Sequence, residues 1–200
     1  MNTLLVIRSS LFNGSGQSSQ LVDEFTRQWS DTHSQGRVVC RDLAADPIPH
    51  LSAEAFAGFG LPAEQRNPAQ TAAAAVSDSL IAELRSADAV AVGLPMYNFT
   101  IPSTFKAWMD YVARAGETFE YTDSGSRGLI ADKPVYVFAA RGGYYAGTTK
   151  DTQTALIQTF FNFVGINDIH FTYLEGLAMG EHAVHEARQS ASAEISRLAA

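Results

Sequence analysis

Cysteine is nearly missing from these 200 residues; Cys40 stands alone, so no intramolecular disulfide can form and the fold rests on burial and hydrogen bonding. Its place in the apolar run Val38-Val39-Cys40 predicts a buried structural thiol. Long hydrophobic stretches are missing too: none approaches the roughly 20 residues of a membrane span. The chain starts on a strand-like segment rather than a leader, so the expectation is a cytoplasmic protein without membrane contact. Positive charge is scarce. Fourteen Lys and Arg against 21 Asp and Glu leave a net charge of −7, the wrong sign for nucleic acid as the main partner. No repeat, low-complexity tract or linker interrupts the pattern, and the sequence reads as one domain over residues 1–200.

What is present is an alternation of strand and helix patterns. Branched apolar segments at Thr3–Arg8, 37–41, Ala89–Pro95, Val135–Ala140 and Ile169–Leu174 read as strands. Helical spacing appears from Gln20 through Trp29, over 71–86, from Pro102 through Val112, around Leu156 to Val164, and over Glu181–Leu198. Crossovers of this length predict an α/β fold, a parallel sheet covered by helices on both faces. Residues 53–70, broken by Gly58, Gly60, Pro62 and Pro68, read either as a flexible wall or as an ordinary surface connection. Residues 119–125 alternate and then turn, which suggests a small hairpin.

In such sheets ligands bind outside the carboxyl ends of the strands. Three loops lie there. Gly14-Ser15-Gly16-Gln17-Ser18-Ser19 follows the first strand and opens a helix, a place suited to an anion, although a glycine turn with a serine cap gives the same pattern. It lacks the lysine of a Walker loop and the third glycine of a dinucleotide fingerprint, which leaves a Rossmann-type NAD(P) dehydrogenase, with Asp42 as ribose acid, a weakened alternative. Met96-Tyr97-Asn98-Phe99 follows the third strand and suits a flat, hydrogen-bonding ring such as a flavin. Arg141-Gly142-Gly143 follows the fourth and leaves backbone amides open to a ligand. His182 and His185 sit beside Glu181 and Glu186 and read as a solvated helix face, so no metal site is expected.

On these residues, with Arg8-Ser9-Ser10, Asp42-Leu43-Ala44-Ala45, Val112-Ala113-Arg114-Ala115-Gly116, Thr118-Phe119, Tyr121-Thr122 and Glu175-Gly176, the chain resembles the FMN-dependent NAD(P)H azoreductases of the flavodoxin-like quinone reductase family. The resemblance runs from the first strand to the last helix. It implies a flavodoxin-like, five-stranded parallel sheet of order 2-1-3-4-5. It implies that Ser10, Gly16, Gln17 and Ser18 bind the FMN phosphate. Met96, Tyr97, Asn98 and Phe99 would flank the ring, and Ala140, Arg141, Gly142 and Gly143 would serve its pyrimidine edge. It implies hydride transfer from NADH or NADPH to quinones and azo compounds by ping-pong kinetics, with FMN carrying the hydride and no side chain acting as nucleophile. It further implies a homodimer with the active site at the interface, where Phe99, Tyr121 and the second copy's Phe163 line the substrate space. The family often has serine at the positions of Gly16 and Ala140, which predicts weaker FMN retention here and a gain on Gly16→Ser. An FMN-binding electron carrier or flavin sensor is the alternative of another class.

Overall fold

A computed structural model describes residues 2–199. Five parallel strands form the main sheet: β1 (Thr3–Arg8), β2 (Arg37–Asp42), β3 (Ala89–Pro95), β6 (Val135–Ala140) and β7 (Ile169–Leu174), in the order β2-β1-β3-β6-β7. The remaining two, β4 (Phe119–Thr122) and β5 (Gly125–Gly128), pair antiparallel as a separate hairpin. Counted without the hairpin, the sheet order is the expected 2-1-3-4-5. The register aligns Pro95 with Ala140 and Ala140 with Leu174, so the loops after β3, β6 and β7 leave one edge side by side.

The alternation of side chains along each strand divides the core in two. Leu5, Ile7, Val90, Val92 and Val137 face α3 (Pro68–Ser86), α4 (Ser103–Val112) and α5 (Thr152–Val164), meeting Leu84, Trp108 and Phe161. Leu4, Val6, Ala91 and Phe138 face α1 (Gln17–Thr32) and α6 (Glu181–Leu198), meeting Val22, Phe25 and Ile195. β3 is buried along its whole length, as a central strand covered on both faces must be. Gly93 lets α1 come close: a β-carbon there would lie 3.0 Å from the Ser18 carbonyl oxygen. The start of α1 is thereby set over the middle of the sheet.

Three expectations change. Cys40 is exposed, not buried. It lies on β2, the edge strand, whose face toward α1 is left uncovered because α1 packs chiefly on β3. Partial desolvation still holds its thiol above the ordinary cysteine pKa, so exposure does not make it a ready thiolate. Residues 53–70 form packed structure rather than a flexible wall: α2 (Ala53–Phe59) is capped by Ser52 and lies against α3. A β-carbon on Gly58 would fall 2.6 Å from Gln70 Cβ, and Phe59 meets Tyr111 edge-on at 5.6 Å. Helices α1 and α3 each begin three residues earlier than their apolar periodicity indicates. α3 starts at Pro68 because Asn67 and Gln70 form a reciprocal capping box.

Candidate active site

The loop after β1 ends in α1, whose N-cap is Gly16, so no side chain caps the helix. The first intrahelical bond is donated by Gln20, which leaves the N–H groups of Gln17, Ser18 and Ser19 without a helical acceptor. The Ser18 and Ser19 hydroxyls are buried and make no hydrogen bond. Such groups are costly unless a partner arrives. Free donors at a positive helix end fit a phosphate in charge, in geometry and in hydrogen-bond demand. Ser10 belongs to the same cradle, 2% exposed, its Oγ accepting the Phe12 N–H at 3.3 Å.

Gly16 has a reason of its own to be glycine. A β-carbon there would lie 2.1 Å from Ser10 Oγ and 2.7 Å from Ser10 Cβ. A serine at this position is admitted only if the Ser10 side chain shifts. The gain expected from that substitution is accordingly withdrawn.

The second loop is a tight turn. Tyr97 and Thr100 exchange both backbone hydrogen bonds, at 3.0 and 3.1 Å, around Asn98 and Phe99. Both central residues have positive φ, 48° and 67°, the pattern of a type I′ turn. Asparagine tolerates this region; phenylalanine rarely occupies it, and such strain concentrates at functional sites. The strain is held by Thr152, whose hydroxyl donates to the Phe99 carbonyl. Phe99 is presented to solvent, 54% exposed, with Asn98 beside it. Tyr97 turns the other way. Its hydroxyl accepts the Leu11 N–H at 3.2 Å and lies 3.4 Å from Ser10 Oγ, tying this loop to the phosphate cradle. Met96 is half-buried and donates its N–H to the Ala140 carbonyl at 2.9 Å. Ala140 is thus a buried strand end whose carbonyl is already engaged.

Arg141 departs from its expected place at the ring edge, since its N–H donates to the Leu174 carbonyl at 2.8 Å. Its side chain is 0% exposed and is held inside the protein rather than offered to a ligand. It pairs with Asp151 and Glu175 at 3.1 Å each, donates to Gln153 and Thr154, and lies over the Tyr173 ring at 4.7 Å. Gln153 passes the connection on to the Pro95 carbonyl at 3.0 Å. One buried cation therefore ties together the ends of β3, β6 and β7 and the start of α5. Although burial by itself would raise the Asp151 pKa, hydrogen bonds from Thr154 and the Arg141 guanidinium hold it below the ordinary carboxylate value. Glycines Gly142 and Gly143 follow, the first exposed and the second half-buried. The sequence reading missed this clamp. Its signal was a run of Asp151, Gln153 and Thr154 at a helix start, which reads as ordinary capping.

The expected substrate residues fall into two places. Phe99 lies at the loop cluster. Tyr121, 77% exposed, and the half-buried Phe163 both meet Phe119, at 5.4 and 4.3 Å between ring centroids. Phe163 lies in the last turn of α5, eleven residues from Thr152, or roughly 16 Å along the helix. One chain therefore does not bring Phe163 to its own Phe99. Asp42 Oδ1 accepts the N–H groups of Ala44 and Ala45 at 3.0 and 3.1 Å, a turn-forming role. A cavity of about 590 Å³ opens beside Gln17, bordered by Leu177, Gly180, His185 and Arg188, and adjoins the phosphate cradle rather than the Phe99 turn. No helix among the described residues is long and apolar enough to cross a membrane.

Comparison with known proteins gives the same picture. An FMN-dependent NADH:quinone oxidoreductase of Cellvibrio japonicus is 50% identical over 199 residues, covering 96% of this chain and 100% of the relative. A protein of the same description from Alcanivorax borkumensis is 48% identical over 192 residues, covering 96% and 97% of the two chains. The crystal structure of an azoreductase from Bacillus anthracis superposes with a TM-score of 0.91 at 26% identity, over 100% of this chain and 99% of that one. Residues 1–199 match the family described as having a Flavodoxin-like fold, and the chain belongs to that family.

Proposed function

We propose that this chain is an FMN-dependent NADH:quinone oxidoreductase, a single FMN-binding domain over residues 1–200 that passes hydride to quinones and azo compounds. The observation that carries this reading is three neighbouring loops at one sheet edge, with free donors on the outer two and an aromatic turn on the middle one. At one end are the uncapped start of α1 and the orphaned Ser18 hydroxyl. At the other are the Gly142 and Gly143 amides, and Phe99 stands between. The identity to relatives described as NADH:quinone oxidoreductases supports the same reading.

FMN, when bound, supplies the hydride chemistry. The protein holds and orients it. Ser10, Gln17 and Ser18, with the first N–H groups of α1, would hold the phosphate. Met96 and Phe99 would bound the ring with apolar surface, and the Asn98 amide would offer hydrogen bonds along its edge. The Gly142 and Gly143 amides would donate to ring carbonyls. Hydrogen-bond donors fixed before the reaction need no reorganisation during it, which is the source of their catalytic value. Because donor and acceptor would occupy the same space in turn, the kinetics would be ping-pong.

The substrate space, lined by Phe99 and Tyr121, is completed by the Phe163 of a second copy. This part of the reading is supported by the exposure of Phe99 and Tyr121 and by the length of α5 that separates Phe163 from its own Phe99. One experiment tests the whole. FMN is added to purified protein, the sample is desalted, and the absorbance near 450 nm (roughly, for any oxidised flavin) is followed during anaerobic addition of NADH, then NADPH, then a quinone. Bleaching by NADH and recovery with quinone is the expected result. Bands that NADH leaves unchanged would favour an electron carrier or sensor.

A further inference from the structure

The loop after β6 has its hydrogen-bond groups unevenly used. The carbonyls of Arg141, Gly142 and Gly143 accept the N–H groups of Leu177, Ala178 and Gly176, at 3.2, 2.9 and 3.2 Å. The N–H groups of Gly142 and Gly143 form no hydrogen bond with the described residues. Tyr145 follows two positions later, half-buried. Its N–H and that of Ala146 both donate to Glu175 Oε1 at 2.9 Å, and its carbonyl accepts the N–H and hydroxyl of Thr148 at 2.9 and 2.7 Å. Glu175 is in turn paired with the buried Arg141.

With its backbone fixed in this way, the Tyr145 ring stands edge-on to Phe99, centroids 5.9 Å apart at 86°. Its phenol oxygen lies against Gly143, 3.0 Å from where a β-carbon would be. The hydroxyl makes no hydrogen bond with any described residue. A fixed aromatic ring thus spans from the strained turn to the glycine amides, and it brings an uncommitted donor to the place where two others are already free.

We propose that Tyr145 is a further cofactor-contacting residue, whose hydroxyl joins the Gly142 and Gly143 amides as a donor to the pyrimidine edge of FMN and favours its reduced form. This rests on the FMN reading above. The orientation follows from chemistry: the pyrimidine ring carries the flavin carbonyl oxygens, whereas the dimethylbenzene ring has no acceptor to offer a donor-only loop. Hydride from NADH brings two electrons and one proton, NAD⁺ leaves with the positive charge, and the reduced ring keeps one net negative charge. Hydrogen bonds to a charged acceptor are stronger than those to a neutral one. A hydroxyl at that edge therefore holds the reduced form more tightly than the oxidised.

The test is the midpoint potential of FMN-loaded Tyr145→Phe, measured by equilibration with a reference dye, beside its melting temperature and flavin content. The expected variant retains FMN, melts as the unsubstituted protein does, and has a lower potential. A tenfold loss of preference for the reduced form corresponds to about 30 mV for a two-electron couple. Gly143→Ala sets a methyl group 3.0 Å from the phenol oxygen, pushing the hydroxyl aside, and is expected to lower the potential as well. The Gly143→Ala/Tyr145→Phe pair should then shift no further than the larger single change, since both act through one hydroxyl. An unchanged potential in FMN-loaded Tyr145→Phe overturns the inference, as do additive shifts in the pair. Failure of the unsubstituted protein to take up FMN would overturn the flavin reading itself, a separate and recognisable outcome.

Discussion

Replacing Arg141 by methionine tests the claim that one buried cation holds the crevice together. The guanidinium is fully buried, and its two partners are nearly so, with Asp151 and Glu175 side chains 6% and 14% exposed. Methionine fills a similar volume and keeps the contact with Tyr173, so the loss of packing is small. What remains is two buried carboxylates without their cation. Removing one partner of a buried ion pair costs about 3–5 kcal/mol. For a chain of this size about 2–4 °C accompanies each kcal/mol, so the melting temperature should fall by roughly 6–20 °C at fixed protein concentration. Much of that loss should return in the triple variant Arg141→Met/Asp151→Asn/Glu175→Gln, in which no uncompensated charge is left. FMN retention should fall in the single variant, because the Gly142-Gly143 loop and the Pro95 end of β3 share the clamp. A thermal scan and flavin titration of both variants suffice. A fall of less than 2 °C with unchanged FMN affinity would refute the reasoning.

Three further outcomes follow from the same geometry. Gly16→Ser should not tighten FMN binding by even twofold, because its β-carbon meets Ser10; a tenfold gain in a fluorescence titration would show that Ser10 yields freely. Phe99→Gly should leave the melting temperature unchanged or slightly raised, since relief of about 1–3 kcal/mol of positive-φ strain offsets the added freedom of the unfolded chain, while kcat/KM for a quinone falls; a melting loss above 5 °C would mean the ring supports the fold. Acid should loosen the loop after β6. The Asp151 pKa is lowered in the folded state, so its contribution is complete above the ordinary value near 3.8 and is lost as pH falls through the lower folded value. FMN release measured from pH 5 downward should therefore steepen below about pH 4 in the unsubstituted protein and less so in Asp151→Asn.

Local pattern determined much of this protein. The short unbroken apolar runs Ala89–Pro95 and Val135–Ala140, bounded by turn residues, fit strands covered on both faces, and helical crossovers between such strands impose a parallel sheet. The loops at the carboxyl edge follow directly, which is why Gln17, Ser18, Phe99 and the paired glycines were legible as a site. Other features depended on what lies opposite a residue in space. Val38 and Cys40 have the same character as core strand residues, and only their place on the sheet's uncovered edge exposes them. Gly16 reads as a missing phosphate ligand until Ser10 is seen to fill the space beside it. Arg141 reads as part of the glycine loop at the ring edge, but its partners Asp151 and Glu175 lie 10 and 34 residues away and meet it only when β6, β7 and α5 assemble. Tyr144-Tyr145-Ala146-Gly147 stands out in the sequence as a segment that could alter substrate preference, but the place of Tyr145 between Phe99 and Gly143 is set by Glu175 across the sheet edge. Periodicity records which face of an element is covered, and tertiary structure alone decides which distant side chains meet a buried charge or an empty glycine.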